Sequence, residues 1–281
     1  MTIKLFPFYV IFLLFFIGCS NHSITSAQYD VVNVVYKKPT DEQLQKSIGL
    51  FSEILTKGVR EGSDKDWAEL GFLFKINRVN SIDYAVISAE GHGIYQIKLN
   101  SKRNGMVLEA PHSNADKYTG DITTLMFKEG PWQAAAWNTL SREAVDLAHE
   151  PVSFFNAFSI AVAQSFKEPR IMQPHGFNAK SHKIDADIIF SAAKYRKLSP
   201  EYKSISKCLR YGLPKYKIYD FNDEIDELGG YTNENAKAFY KANPNGKFFH
   251  IEMDIALREA LLHQQDLRNA ITDCLQFKDR D

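Results

Sequence analysis

Cysteine is scarce in this chain: three occur in 281 residues, Cys19, Cys208 and Cys274. An excess of either charge is also absent, with 34 Lys+Arg against 34 Asp+Glu. Without a basic excess nothing argues for a nucleic-acid partner, which would call for a basic face. There is no internal repeat and no low-complexity tract. No Gly-x-Ser-x-Gly elbow surrounds Ser113 or Ser141, so the chemistry of a serine hydrolase is disfavoured. The one long apolar run lies near the start, Leu5 to Ile17, and is too short to span a bilayer comfortably.

That run follows a single charge, Lys4, and ends at Gly18-Cys19. It fits the apolar region of a secretory signal with a small residue before the cut. Phe16-Ile17-Gly18-Cys19 resembles a bacterial lipobox, with Phe16 where Leu is usual. The expectation is a lipoprotein signal over 1–18, a lipid on Cys19, a polar tether over 19–40, and one α/β domain over 41–281. The protein would then be held by its lipid at the bacterial cell envelope, facing the periplasm or the exterior. An ordinary signal peptide, or an uncleaved anchor, stays open. The mature length can bury a sizeable core. In an oxidising compartment Cys208 and Cys274 can pair, or they stand as two separate buried thiols.

Apolar spacing predicts an amphipathic helix over Asp41–Lys57 from Leu44, Ile48, Phe51 and Leu55, capped by Thr40 or Asp41. Short strands are expected at Asp83–Ser88, Tyr95–Leu99, Met106–Ala110, Arg170–Gln173, Ala186–Ser191 and Lys247–Met253. Helices are expected at Gly120–Lys128 and Pro151–Phe166, with a long closing helix over Ala256–Leu275. Gln133–Thr139 fits strand or helix equally. The segment 197–246 reads as an insertion or surface loop system with one or two short helices. Alternation of strands and helices favours a three-layer α/β/α sandwich around a mixed, mostly parallel sheet.

Three of these strands end on chemistry: Pro111-His112 with Asp116 following, Pro174-His175, and His250-Ile251-Glu252. Ligands bind at the carboxyl ends of strands in open α/β sheets. His112, Asp116 and His175 would leave a tetrahedral zinc one open position, as catalytic zinc requires. Glu252 is then the candidate proton shuttle, and Arg142 or Arg258 the candidate cation for an oxyanion or a substrate carboxylate. Asp146 and His149, three apart, would share a helix face and support a ligand, or else cap a helix beside a solvated His. His250 shares the strand face of Glu252 and is a reserve site residue or a packed core His. His92 lines the pocket mouth or sits in a glycine-flanked turn. Trp132 and Trp137 read as core, and Asp185 and Asp187 as pocket-facing or turn-capping.

The segments 111–120, 141–149, 173–177 and 250–258, in that order, resemble zinc-dependent hydrolases of the metallocarboxypeptidase superfamily. Within that superfamily they look like the branch of poly-γ-glutamate hydrolase and N-formylglutamate amidohydrolase relatives. The resemblance spans roughly residues 85–275, judged by where the motifs fall. It implies an α/β sandwich and a single Zn²⁺ on His112, Asp116 and His175, with Asp116 in place of the more usual Glu. It further implies Glu252 as the catalytic carboxylate and Arg142 and Arg258 near a substrate. The substrate class it points to is an amide or peptide with a free carboxylate. A binding or structural lipoprotein that keeps the fold without turnover is the other reading. A two-metal phosphoesterase would need more carboxylates near His112 than the sequence places there.

Overall fold

The computed structural model describes residues 35–194 and 196–276. Cys19, the leading segment and most of the expected tether lie outside these residues. In chain order the elements are α1 (Asp41–Thr56), α2 (Ser63–Glu69), β1 (Leu73–Val79), β2 (Ile82–Ala89), β3 (Gly93–Lys98), β4 (Met106–Ala110), α3 (Thr119–Glu129), β5 (Ala134–Trp137) and α4 (Phe154–Ser165). They continue with β6 (Arg170–Phe177), α5 (Ala179–His182), β7 (Ile188–Ser191), α6 (Pro200–Gly212), β8 (Ile218–Asp220), α7 (Glu234–Ala242), β9 (Lys247–Asp254), α8 (Ile255–His263) and α9 (Gln265–Gln276).

The strands form one nine-stranded sheet in the order β1-β2-β3-β5-β4-β6-β9-β7-β8. The central run β5-β4-β6-β9 is parallel, the β1-β2-β3 side joins it antiparallel, and β7 lies antiparallel to β9. Parallel strands need cover on both faces, and two separate cores provide it. Phe51 of α1, Phe158 of α4 and Phe239 of α7 pack on one face with Val107, Ile171 and Phe248. Met126 of α3, Leu209 of α6, Leu257 of α8 and Ile271 of α9 pack on the other with Leu108, Met172 and Phe249. The result is the expected three-layer sandwich. No helix among the described residues is long and apolar enough to cross a membrane.

Several elements differ from the sequence expectation. Thr40 caps α1 through a capping box with Gln43. The ambiguous stretch at 133–139 contains strand β5, which lies between β3 and β4. Strand β1, which the pattern does not announce, is an exposed edge strand, so its residues show no alternation of apolar and polar. The expected strand at 170–173 runs on through Pro174 and His175 to Phe177. Past Met172 it pairs only with β9, and a strand bonded on one side tolerates a proline. The closing helix is two helices that break at Gln264. Arg268 folds back to donate to the Leu261 and Leu262 carbonyls and pairs with Glu129, satisfying the end of α8 at the break. The 197–246 segment holds two helices, α6 and α7, within the number expected, but it also supplies the edge strand β8, and α7 packs against α4, so the segment is part of the sandwich. Cys208 and Cys274 form a disulfide joining α6 to α9.

Candidate metal centre

Side chains alternate across a strand, so β4, β6 and β9 each carry one row towards α4 and α7. The rows begin apolar with Val107, Ile171 and Phe248, which belong to that core. One step on they turn polar with Glu109, Gln173 and His250, then end at His175 and Glu252. Gln173 lies opposite His250, and His175 opposite Glu252, in the β6–β9 register. His112 and Asp116 follow β4 in a turn, where the Asp116 N–H donates to the His112 carbonyl. All of these polar side chains are buried.

His112 Nδ1 lies 3.2 Å from His175 Nδ1 and 3.3 Å from Asp116 Oδ2. His175 Nδ1 lies 3.7 Å from the same Asp116 oxygen. The outward nitrogens are both engaged: His112 Nε2 donates to Asp146 Oδ1 at 2.8 Å, and His175 Nε2 to Gln173 Oε1 at 2.8 Å. With a proton on each Nε2, two nitrogen lone pairs and a carboxylate face one another, and only a cation makes that arrangement favourable. A proton is one such cation. Burial lowers the His112 imidazole, yet its bonds to Asp116 and Asp146 outweigh that and raise it above the ordinary value. Burial likewise pushes Asp116 up, but the two imidazoles hold it well below the usual carboxylate range.

A proton satisfies one contact, whereas a metal ion satisfies three. Tetrahedral ligands about 2.0–2.1 Å from zinc lie about 3.3 Å from each other, close to the spacing found. The donor set therefore fits a zinc ion. A second grouping, His175 with His250 and Glu252, also brings ligand atoms together. Its two rings are stacked at 4.4 Å, and stacked rings send their in-plane lone pairs along similar directions. The first grouping is the better cradle.

Glu252 and His250 line the same cavity of about 400 Å³ as His112, Asp116 and His175. Among the described residues, Glu252 Oε2 and His250 Nδ1 have no hydrogen-bond partner. Burial, and then the charge of Asp116, push the Glu252 carboxyl up to about 8. Burial pushes His175 down to about 4 and His250 well below its ordinary value, so both rings are neutral near pH 7. A larger cavity, about 800 Å³, opens at the opposite end of the central strands, near Lys98, Trp132 and Arg170. Among the described residues Glu168 is the one His, Cys, Asp or Glu lining it, so the smaller cavity is the better candidate for metal chemistry.

The remaining expected site residues divide. Arg142 reaches the cavity, half exposed, bonded to Asp146 and 4.0 Å from Asp116. Arg258 does not line it: its terminal nitrogens donate to the Lys117 and Phe177 carbonyls, tying together the two ligand-bearing segments. Asp146 supports His112, but from a turn and not from a helix. His149 lines the mouth, with Nδ1 3.3 Å from the Thr232 carbonyl. His92 packs among Tyr36, Phe72 and Phe154 away from the site. Asp185 and Asp187 bond Lys217 near the β8 edge. Ser113 donates to the Asn138 carbonyl in the fold's interior, and Trp132 and Trp137 are core.

Four residues of this region escaped the sequence reading as contributors: Glu109, Gln173, Asn233 and Asn235. The signal was present, since the runs Met106–Ala110 and Arg170–Gln173 each place one polar side chain at an inward strand position. Glu109 accepts from Ser159 and Gln173. Burial pushes its carboxyl up to about 8 from 4.5, with those two bonds pulling it back. The folded state thus holds the proton more tightly throughout that window, and stability falls as pH rises from 4.5 towards 8. Glu109→Gln should remove this loss, because the new amide can donate to Ser159 Oγ and accept from Gln173. Urea unfolding of both proteins should show the variant gaining a few kcal/mol relative to the parent between about pH 5 and 8. Glu252 titrates in both proteins, so the difference isolates Glu109. A constant difference across that range would contradict the assignment.

No family model matches the chain, and no curated protein matches it. Among solved structures, a bacteriophage poly-γ-glutamate hydrolase is 12% identical with a TM-score of 0.40, over 66% of this chain and 90% of its own. The zinc-free form of YndL is 11% identical with a TM-score of 0.41, over 65% of this chain and 89% of its own. A gene product of Agrobacterium tumefaciens is 9% identical with a TM-score of 0.44, over 61% and 88%. Likenesses of this extent carry no argument about chemistry, which rests on the chain's own residues.

Proposed function

We propose that this protein is a zinc-dependent hydrolase of an amide or peptide bond, tethered to the cell envelope through Cys19. The carrying observation is the meeting of His112 Nδ1, His175 Nδ1 and Asp116 Oδ2 within 3.7 Å, each imidazole having its other nitrogen bonded to an oxygen. Hydrogen-bonded outer nitrogens of this kind fix the tautomer of a metal-binding histidine.

His112, Asp116 and His175 would hold the ion. When bound, zinc supplies Lewis acidity, polarising a carbonyl and bringing the acidity of water towards neutrality. Glu252 takes and returns a proton at its unpartnered Oε2, and a carboxyl near neutrality suits both directions. Arg142, with its guanidinium at the cavity wall, pairs with a free carboxylate on the substrate or with the developing oxyanion. The buried floor of β6 and β9 keeps bulk water from the reacting atoms.

The test is elemental analysis of unchelated, folded protein. One zinc per chain is expected, removable by a strong chelator, with a fall in melting temperature on removal and recovery on adding zinc back. Folded protein that neither carries nor takes up zinc would remove the basis of this reading.

A further inference from the structure

A helix cap on α7 reaches the metal centre through an unbroken line of donors and acceptors. Asn233 is the N-cap of α7, and its Oδ1 accepts from the Ala236 N–H at 3.0 Å. That bond leaves no choice about the rest of the amide: Nδ2, a donor, must face Gln173. It does, at 2.5 Å from Gln173 Oε1. Gln173 Oε1 is therefore an acceptor, and its Nε2 donates to Glu109 Oε2 and to Asn235 Oδ1, both at 3.1 Å. The group meeting the same Oε1 from the other side is His175 Nε2. An acceptor oxygen there requires a proton on Nε2, which leaves the lone pair on Nδ1, facing His112 and Asp116.

We propose that Gln173 is a positioning residue that locks His175 in its Nε2–H tautomer, and that the Asn233 cap sets the orientation of Gln173. This deepens the zinc reading, on which it rests for its purpose but not for its geometry. Flipping the Gln173 amide would set its NH₂ against the Asn233 NH₂ and its oxygen against Asn235 Oδ1. All of its hydrogen-bonding positions are used in the orientation found, and Gln173, Asn233 and Asn235 are buried, so no solvent relieves a flip. The cap lies 60 residues from Gln173 in the chain, in a segment whose sequence gives no hint of a link to the site.

Asn233→Asp tests it, because Asp caps a helix as well as Asn does but turns an acceptor towards Gln173. Gln173 should then rotate its NH₂ towards the introduced carboxylate and present NH₂ to His175 as well, moving the histidine proton to Nδ1. Long-range ¹H–¹⁵N spectra of metal-free protein, with His175 assigned by His175→Gln, read the tautomer directly. The parent should carry the proton on Nε2 and the variant on Nδ1. Chelator competition should show zinc binding weakened about 10- to 100-fold, with the fold retained by circular dichroism. A parent with the proton on Nδ1, or a folded variant whose tautomer is unchanged, overturns the proposal. Should Asn233→Asp not fold, Gln173→Met removes the acceptor, and the Nε2–H preference must then be lost; its persistence also overturns the proposal. A tautomer that switches in a protein that binds no zinc would sink the hydrolase reading and leave this one standing.

Discussion

On the proposed hydrolase reading, replacing Glu252 by Gln should slow hydrolysis by about 10²–10⁴ and leave a bound zinc in place. Glu252 is not part of the His112–Asp116–His175 cradle, yet it lines the same cavity with an oxygen that has no hydrogen-bond partner among the described residues. Its carboxyl, held near 8 by burial and by the neighbouring Asp116, can exchange a proton at neutral pH, and an amide cannot. Loss of a positioned acid–base group costs about 10²–10⁴ in rate, and most of that should fall on kcat, since the amide keeps the shape of the site. In the metal-free protein stability should rise, as at Glu109, by a few kcal/mol between about pH 5 and 8, because the amide does not titrate and the carboxyl is held near 8 by burial. The comparison is His112→Ala, which removes a ligand and should lose both the ion and the activity. Zinc per chain and turnover of amide substrates ending in a free carboxylate would be measured on all three proteins. Parent-level turnover by zinc-loaded Glu252→Gln would take this residue out of the chemistry. Full zinc retention by His112→Ala would move the metal to the His175, His250 and Glu252 grouping.

What the sequence could announce depended on how local each signal was. The imidazoles and carboxylates at strand ends are visible as letters, and the rule that ligands gather at carboxyl ends of parallel strands brings 112, 175 and 252 to one place. The order of strands is not local, so nothing in the letters could show that β6 and β9 are neighbours and set His175 beside Glu252. Arg258 and Arg142 looked alike as cations. Only packing decides that the first binds its terminal nitrogens to backbone carbonyls behind Gly176, whose missing side chain makes room for the guanidinium. Gly230 is comparable: with φ at +63° it lays its backbone against the His250 ring, where a Cβ would collide.

The hardest part to read was 197–246. Its abundance of Lys, Asn and Gly is a surface signature, and α6 and α7 are indeed amphipathic helices with polar outer faces. Their inner faces carry few apolar residues, so hydrophobic counting undervalues them. In α7 much of the inner face is polar because it meets Gln173 and Asn156 through Asn233 and Asn235. A buried polar network stabilises one specific arrangement only when all of it is satisfied, and satisfaction depends on partners far away in the chain. That is why the residues bracing the site were less legible than the residues forming it.

The second large effect concerns stability at the other end of the molecule. Cys208 on α6 and Cys274 on α9 are bonded across a sequence separation of 66. On the chain-entropy account, closing a loop of that length stabilises the fold by about 4 kcal/mol. Cys274 is buried among Leu209, Ile271 and Leu275, so the bond also seals the core on the face away from Glu109 and Gln173. Cys208→Ser with Cys274→Ala should therefore lower the unfolding free energy by about 4 kcal/mol, and reductant should lower the parent by a similar amount while leaving the variant unchanged. Zinc content and turnover of the folded variant should match the parent, since α9 ends beside the start of β6, where Arg170 holds the Leu275 carbonyl, at the end of the strand opposite the candidate metal centre. A bond of this kind persists where the surroundings are oxidising, which is the setting that attachment through Cys19 outside the cytoplasm would provide. Equal urea midpoints for the oxidised and reduced parent would mean that the unfolded chain is already constrained, or the native packing strained, enough to cancel the loop term.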